Sequence, residues 1–277
     1  MTFPFGVPAS LEKKCNGLEK VLSPHGPICL AYSGGVDSSF LAWFIRHVLK
    51  MEFTAFLVVS PFISRREHRN ALQVAEEIGM SPEEIVLDVL GVEAVRDNPA
   101  QRCYFCKTEI ISRIEKRARD LKCSLLVDGT NAGDRKVHRP GHKALQELGV
   151  LSPLALAGLE KAEIRELSRL AGLSTWNKPS QSCLATRIPY GTPLTLELLS
   201  RVEQAEAILW DLGCEQVRVR VHGTDLARIE VNPEAFGILL QEEARNRVAR
   251  HLRELGFLHV TLDLAGFRSG CWDERTN

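Results

Sequence analysis

The 277-residue sequence predicts an α/β fold: a parallel sheet with helices on both faces, followed by a small C-terminal α+β domain. Three observations carry that expectation. Short apolar runs alternate with stretches of helical length over the first part of the chain. The first of these runs ends on a glycine pair, as a strand entering a ligand loop does. Beyond Tyr190 two strand-like runs follow one another with no helix between them, which a purely parallel sheet does not allow.

In order, Pro27 to Tyr32 reads as a buried strand, Ser33 to Gly35 as a turn, and Ser38 to Lys50 as a helix. Phe53 to Ser60 gives a second strand, and a helix starts at Ser64 with Leu72, Val74, Ala75 and Ile78 on its apolar face. Glu84 to Leu90 is the expected third strand, Cys103 to Leu121 a helix, and Ser124 to Asp128 the fourth strand. From Gly129 to Pro153 the pattern loosens into turn formers, and Leu159 to Ala171 is again amphipathic. The rest reads as helix 196–212, strands 216–222 and 226–231, helix 233–255 and strand 258–264. The division between domains is expected near Tyr190, giving residues 1–190 and 191–277.

Composition narrows the function. With 35 basic and 35 acidic side chains the net charge is zero, which argues against a polyanionic nucleic-acid partner. No run reaches the ~20 apolar residues a membrane span needs, and the start lacks the basic-then-apolar order of a secretory signal, so a cytoplasmic protein is expected. Eight cysteines scattered over a chain of this size do not suggest a disulfide framework; Cys29 and Cys123, in apolar contexts, are expected to be core residues.

The strongest local signal is Ser33-Gly34-Gly35-Val36-Asp37-Ser38-Ser39. Gly34 and Gly35 let backbone N–H groups approach a pyrophosphate, Ser33, Ser38 and Ser39 offer hydroxyls, and the helix N-terminus adds partial positive charge. The Lys-Ser/Thr ending of a Walker A loop is absent. Asp37 beside phosphates makes sense through Mg²⁺ or as a helix cap.

This string resembles the PP-loop superfamily, a HUP-like α/β fold whose members cleave ATP between the α- and β-phosphates and transfer AMP to an oxygen. Further segments resemble the LarE family of ATP-dependent sulfur transferases, which make the nickel-pincer nucleotide: Arg102 to Lys107, Arg139-Pro140-Gly141, Leu151 to Leu154, Lys178 to Gly191, Arg218 to Gly223, and Leu262 to Gly270. Together they span nearly the whole chain. The resemblance implies ATP, Mg²⁺, a small nucleotide substrate and a homo-oligomer, a hexamer in that family. Some members use one sacrificial cysteine and others three cysteines on an iron–sulfur cluster. Cys103, Cys106 and Cys183 make this chain similar to the second kind, with a [4Fe–4S] cluster as the expected cofactor.

Read on its residues alone, Cys103-x-x-Cys106 is also compatible with a redox pair, a zinc clip completed by His138 or His142, or two half-buried helix positions. Cys183 lies between Pro179 and Pro189, with Lys178 and Arg187 near in sequence to favour a thiolate. The catalytic candidates are Cys183, Asp37, Arg187 and Lys107. Arg218 and Arg220 alternate with valines and share a strand face with His222; the plain reading is a solvated face, the functional one a nucleotide-phosphate site assisted by Arg228 or Arg268. A tRNA thiolase of the same fold and a zinc-containing, non-catalytic nucleotide binder are the alternatives.

Overall fold

The computed structural model describes residues 3, 6–134 and 140–268. His138, Arg139, Ser269, Gly270 and Cys271 lie outside them. The chain order is α1 (Ala9–Leu22), β1 (Ile28–Tyr32), α2 (Val36–Trp43) running into a π-helical turn (Phe44–Val48), β2 (Phe53–Val59), α3 (Arg65–Ile78), β3 (Glu83–Val86), α4 (Glu93–Arg96), α5 (Arg102–Asp120), β4 (Leu125–Asp128), α6 (Pro140–Glu147), α7 (Pro153–Leu156), α8 (Lys161–Leu170), α9 (Leu196–Asp211), β5 (Val217–His222), β6 (Leu226–Val231), α10 (Phe236–Leu240), α11 (Glu242–Glu254) and β7 (His259–Leu262). No helix among the described residues is long and apolar enough to cross a membrane.

The chain divides into two compact units, Met1–Val89 with Gln101–Gln181, and Leu90–Ala100 with Ser182–Asn277. Residues 90–100 and 182–190, which lie before the boundary expected near residue 190, fall in the second unit, and two sets of contacts hold them there. The Asn98 amide donates to the carbonyls of Pro189 (2.8 Å) and Thr192 (3.1 Å), fastening the α4 segment to that turn. Arg187 is paired with Glu206 on α9, so the segment from Ser182 onward folds with α9 and the strands after it.

The first unit holds a four-stranded parallel sheet of order β3-β2-β1-β4. Its core gathers Ile28 and Leu30 from β1, Phe40, Leu41 and Phe44 from the following helix, Leu57, Val127, and Ile164 and Leu167 from α8. Leu11, Cys15, Leu18 and Leu22 of α1 join it at helical spacing, an element missing from the sequence-based expectations. The order places β2 and β3 on one side of β1 and β4 on the other. The chain reverses its winding there, so the C-terminal ends of β1 and β4 bound the crevice where open α/β sheets bind ligands.

The same pair of strands corrects an expectation about cysteines. Cys29 and Cys123 form a disulfide, with Cα atoms 6.0 Å apart, inside the range a bridge can span. Cys29 is on β1 and Cys123 just precedes β4, its parallel neighbour, so the strand pairing itself brings them together. Cys15 and Cys214 are core thiols; burial pushes Cys15 up to about 11 and raises Cys214 as well.

The second unit carries the sheet β5-β6-β7. Its first pair is antiparallel as expected, whereas β7 joins β6 in parallel because α10 and α11 provide a crossover. Val217, Val219 and Val221 are buried where β5 packs on α9, as are Val202 and Leu209 of α9 and Val248 and Leu252 of α11, which packs on α9 in turn. The expected helix over 233–255 is broken at Gln241, whose extended backbone separates α10 from α11.

Candidate active site

The loop after β1 is built from backbone and is shaped by one residue of α3. Gly34 has φ +68°, and a Cβ there would overlap Ala71. Ala71 is held in turn by Tyr32, whose hydroxyl donates to the Ala71 carbonyl at 2.9 Å. Burial pushes that phenol up to about 12, so it remains a donor at any working pH. From the other side Gly129, following β4, packs so closely that a Cβ would lie 2.8 Å from the Ser38 nitrogen. The crevice between β1 and β4 is therefore walled by backbone on both sides.

Within the loop the Ser38 hydroxyl donates to the Gly35 carbonyl (3.3 Å) and lies 3.0 Å from the Ser33 hydroxyl, while the Ser33 N–H donates to Ser38 Oγ at 3.2 Å. Ser38 thus closes the loop on itself. Ser39 is fully buried at the start of α2, its N–H on the Gly35 carbonyl at 3.0 Å. Gly35 is the N-cap of α2 and has no side chain to satisfy the first N–H groups, so those donors and the positive helix end stay available to an anion.

Asp37, in the first turn of α2, is the acid of this site. Its Oδ2 accepts from Lys161 Nζ (2.7 Å) at the start of α8 and from Asn131 Nδ2 (3.4 Å) after β4. Its Oδ1 is buried with no hydrogen-bond partner. Burial raises the carboxyl above its ordinary value despite the nearby Lys161 ammonium. A carboxylate oxygen without a hydrogen-bond partner beside a pyrophosphate cradle fits a hard divalent cation such as Mg²⁺, which takes oxygen ligands. Asn131 is oriented by Asp134, to which its amide donates at 2.6 Å, and Asp128 accepts from Ser152 Oγ at 2.7 Å. Asn131 and Asp134 belong to the turn-rich stretch after the fourth strand, where a sheet of this kind binds ligands, whereas Asp128 and Lys161 were not singled out from the sequence. Asp128 ends β4 and Lys161 begins α8, the local signal each carries.

The cysteines fall in both units. Cys103 and Cys106 lie in the first turns of α5, Cys103 exposed and Cys106 half-buried, and their spacing puts them on one helix face. Lys107 follows on the same helix, half-buried, and its Cβ and the Cys103 carbonyl face Gly141 at the start of α6. Among the described residues no group of three or more His, Cys, Asp or Glu side chains gathers as a metal site.

Cys183, a half-buried thiol outside any disulfide, caps a 3-10 turn spanning Leu184–Arg187 in the second unit. The hydrogen bonds of Arg187 go to a carboxylate, hydroxyls and backbone carbonyls. Its guanidinium, 2 % exposed, is bidentate on Glu206 (2.7 and 3.1 Å), and its remaining donors reach Ser182 O and Oγ, Cys183 O and Thr186 Oγ1. These bonds fix the backbone around Cys183. Lys178, also expected to favour the thiolate, has its ammonium on Glu67 (2.8 Å) and the Gly34 carbonyl (3.3 Å) instead.

The solvated-face reading of β5 does not hold. Arg218 and Arg220 are 4 % and 1 % exposed. Arg220 pairs with Glu230 (2.7 Å) and donates to the carbonyls of Thr186 and Arg268, while Arg228 bridges Glu230 and Asp263. Arg218 differs. Its guanidinium stacks over the Phe267 ring at 4.6 Å and its Nε has no hydrogen-bond partner. Burial, then repulsion from Arg187 and Arg220, pushes it down to about 10, so it is still a cation at neutral pH. Three buried arginines, Arg187, Arg218 and Arg220, stand against two buried glutamates, Glu206 and Glu230, an excess of positive charge that an anion would neutralise.

The family described as NAD synthase matches residues 11–128, the segment from α1 to β4. An uncharacterized protein of Synechocystis sp. is 39% identical over 260 residues, covering 94% of this chain and 97% of its own. The pyridinium-3,5-bisthiocarboxylic acid mononucleotide synthase of Lactiplantibacillus plantarum is 36% identical over 263 residues, 95% of this chain and 94% of its own. An uncharacterized protein of Methanocaldococcus jannaschii is 28% identical over 242 residues, 87% of this chain and 91% of its own.

Proposed function

Because the chain belongs to the LarE-type family of pyridinium-3,5-bisthiocarboxylic acid mononucleotide synthases, sulfur-transferring enzymes of the PP-loop superfamily, we propose that it adenylates a carboxylate of a pyridinium dicarboxylate mononucleotide and exchanges that oxygen for sulfur. The observation that carries this reading is the loop at the end of β1: a backbone cradle at a helix N-terminus with a half-satisfied carboxylate, Asp37, inside it.

The cradle takes the β- and γ-phosphates of ATP through the N–H groups at the start of α2. Asp37 would hold Mg²⁺, whose charge would offset that of the pyrophosphate. A carboxylate oxygen of the mononucleotide attacks the α-phosphorus, the bond to the bridging oxygen breaks, and pyrophosphate leaves. The resulting acyl-adenylate makes the carbonyl carbon electrophilic, where the free carboxylate was not. Sulfur then attacks that carbon and AMP departs with the former carboxylate oxygen, leaving a thiocarboxylate. Arg218, with Arg220 beside it, binds the substrate's phosphate, and Arg187 holds the Cys183 backbone in place.

For the sulfur donor we favour Cys103, Cys106 and Cys183 as ligands of a [4Fe–4S] cluster, soft thiolates that suit iron and that would leave one iron open to carry a labile sulfide. A second reading, in which Cys183 gives up its own sulfur, rests on its half-buried thiol standing outside any disulfide. The test is anaerobic purification followed by turnover with ATP, Mg²⁺ and the dicarboxylate mononucleotide. Expected are release of AMP and pyrophosphate, iron-dependent visible absorbance lost on changing any of the three cysteines to Ala, and an intact Cys183 after several turnovers with sulfide. Colourless, iron-free protein carrying dehydroalanine at position 183 after one turnover would assign the sulfur to Cys183. Absence of ATP cleavage in every preparation would remove the enzymatic reading.

A further inference from the structure

Lys178 has no part in the chemistry above, yet its ammonium is directed at the loop that performs it. Nζ donates to the Gly34 carbonyl at 3.3 Å and is paired at 2.8 Å with Glu67. The side chain is 17 % exposed and that of Glu67 23 % exposed, so water screens the contact poorly. Both ends of this link are anchored. Glu67 lies in the first turn of α3, where its N–H donates to the Ser64 cap at 3.2 Å. On the other side Arg165 of α8 donates to the Trp176 carbonyl (2.7 Å) and the Lys178 carbonyl (2.6 Å), fixing the backbone from which the lysine extends.

Peptide geometry gives this contact its effect. The Gly34 carbonyl and the Gly35 N–H belong to one planar trans peptide and point in opposite directions. A cation that holds the carbonyl on one side therefore holds the N–H toward the other. The loop's internal bonds run through the Ser33 N–H, the Ser38 hydroxyl, the Gly35 carbonyl and the Ser39 N–H, and none of them uses the Gly35 N–H. A peptide between two glycines has no side chain to resist rotation, so the loop alone does not specify its orientation. We propose that Lys178 is a positioning residue that presets the Gly34–Gly35 peptide, with the Gly35 N–H directed at the β- or γ-phosphate of ATP. Glu67 offsets the lysine's charge and keeps it on the carbonyl.

This inference rests on the reading of the loop as an ATP site, and the experiment separates the two. Wild type, Lys178→Met and Lys178→Arg are compared for binding of ATP, inorganic pyrophosphate and AMP by calorimetry, for melting temperature, and for the glycine amide resonances of protein labelled with ¹⁵N-glycine. The expected result is a roughly 10–100-fold loss of ATP and pyrophosphate affinity in Lys178→Met, the size of one charge-assisted hydrogen bond. AMP affinity should change less than about twofold, since AMP lacks the phosphates concerned. Lys178→Arg should recover most of the loss, and the Gly35 amide resonance should move in Lys178→Met before any nucleotide is added. Unchanged ATP affinity in Lys178→Met overturns the proposal while leaving the ATP site standing. An equal loss of AMP affinity, or a fall in melting temperature that Lys178→Arg shares, makes the lysine merely structural and also overturns it. Failure of wild type itself to bind ATP sinks the loop reading first and this inference with it.

Discussion

The loop of the first unit and the arginine cluster of the second are both suited to anions, and they are built in opposite ways. Around Gly34 and Gly35 the donors are backbone N–H groups at a helix end, and Asp37 in the cradle keeps one oxygen without a hydrogen-bond partner. Around Arg218 the donors are guanidinium groups that have been taken out of water and largely satisfied by carboxylates and carbonyls. A backbone cradle costs little to keep empty, because its partial charges are small and water reaches them. A buried charge cluster is expensive unless nearly every charge is paired, and Arg218, whose Nε has no hydrogen-bond partner, is where we propose that the substrate's phosphate binds.

That contrast is sharpest in what removal of one side chain should do. In the cluster, Arg187→Met leaves Glu206, which has no exposed surface, without its bidentate partner. An uncompensated buried carboxylate costs about 3–5 kcal/mol, to be read as a lowered denaturant midpoint with an unchanged slope. A midpoint within about 1 kcal/mol of wild type would show that Glu206 is protonated or hydrated and that the cluster is not a closed electrostatic unit.

In the loop the effect should be on activity and not on the fold. Asp37→Asn is expected to reduce pyrophosphate release roughly 10²–10³-fold, the usual loss for one electrostatic group at a reacting phosphate. Stability should move the other way. Burial raises the Asp37 carboxyl, so the folded chain holds this proton more tightly than the unfolded chain. Its contribution to stability therefore falls as pH rises from the ordinary carboxylate value through the raised one, and the penalty persists above that window. Asn carries no such penalty, so the variant should melt no lower than wild type at neutral pH, with any advantage shrinking on acidification. Retained ATP cleavage, or a variant that is less stable at neutral pH, would contradict the role assigned to Asp37.

How far each region could be read from the sequence depends on the same difference in construction. The loop was legible because its donors are contiguous from Ser33 to Ser39, and the strand before it and helix after it announce themselves by apolar pattern. Its supports were not. Lys161 reaches Asp37 across 124 positions, Asn131 across 94 and Lys178 reaches Gly34 across 144, distances at which no local pattern speaks. On β5 the alternation correctly separated a valine face from an arginine face but not what covers the second; only the folded chain brings Phe267, Thr186 and Glu230 onto it. Cys29 and Cys123 look like core residues for the same reason, since their pairing depends on β4 lying beside β1. The α1 pattern of Leu11, Cys15, Leu18 and Leu22 is a different case, because its helical spacing is local and stands openly in the sequence.

The smallest effect expected, and the one that most directly asks what the cluster is for, belongs to Arg218. Its Nε is unpartnered, and it is pushed down to about 10 by burial and by Arg187 and Arg220. A cation whose folded value is lowered costs stability in full at every pH below about 10, and the cost shrinks as pH rises from there toward the ordinary arginine value. Arg218→Met keeps the contact with Phe267 while removing the charge, so stability at neutral pH should be unchanged or higher by about 1 kcal/mol. Binding should move the opposite way: affinity for the phosphorylated mononucleotide should fall roughly tenfold, about 1.4 kcal/mol, with ATP affinity unchanged. Calorimetry with each ligand and a denaturant titration decide the matter. A variant that loses stability and keeps mononucleotide affinity would make Arg218 a packing residue, and the excess charge of the cluster would then have to be balanced by something other than substrate.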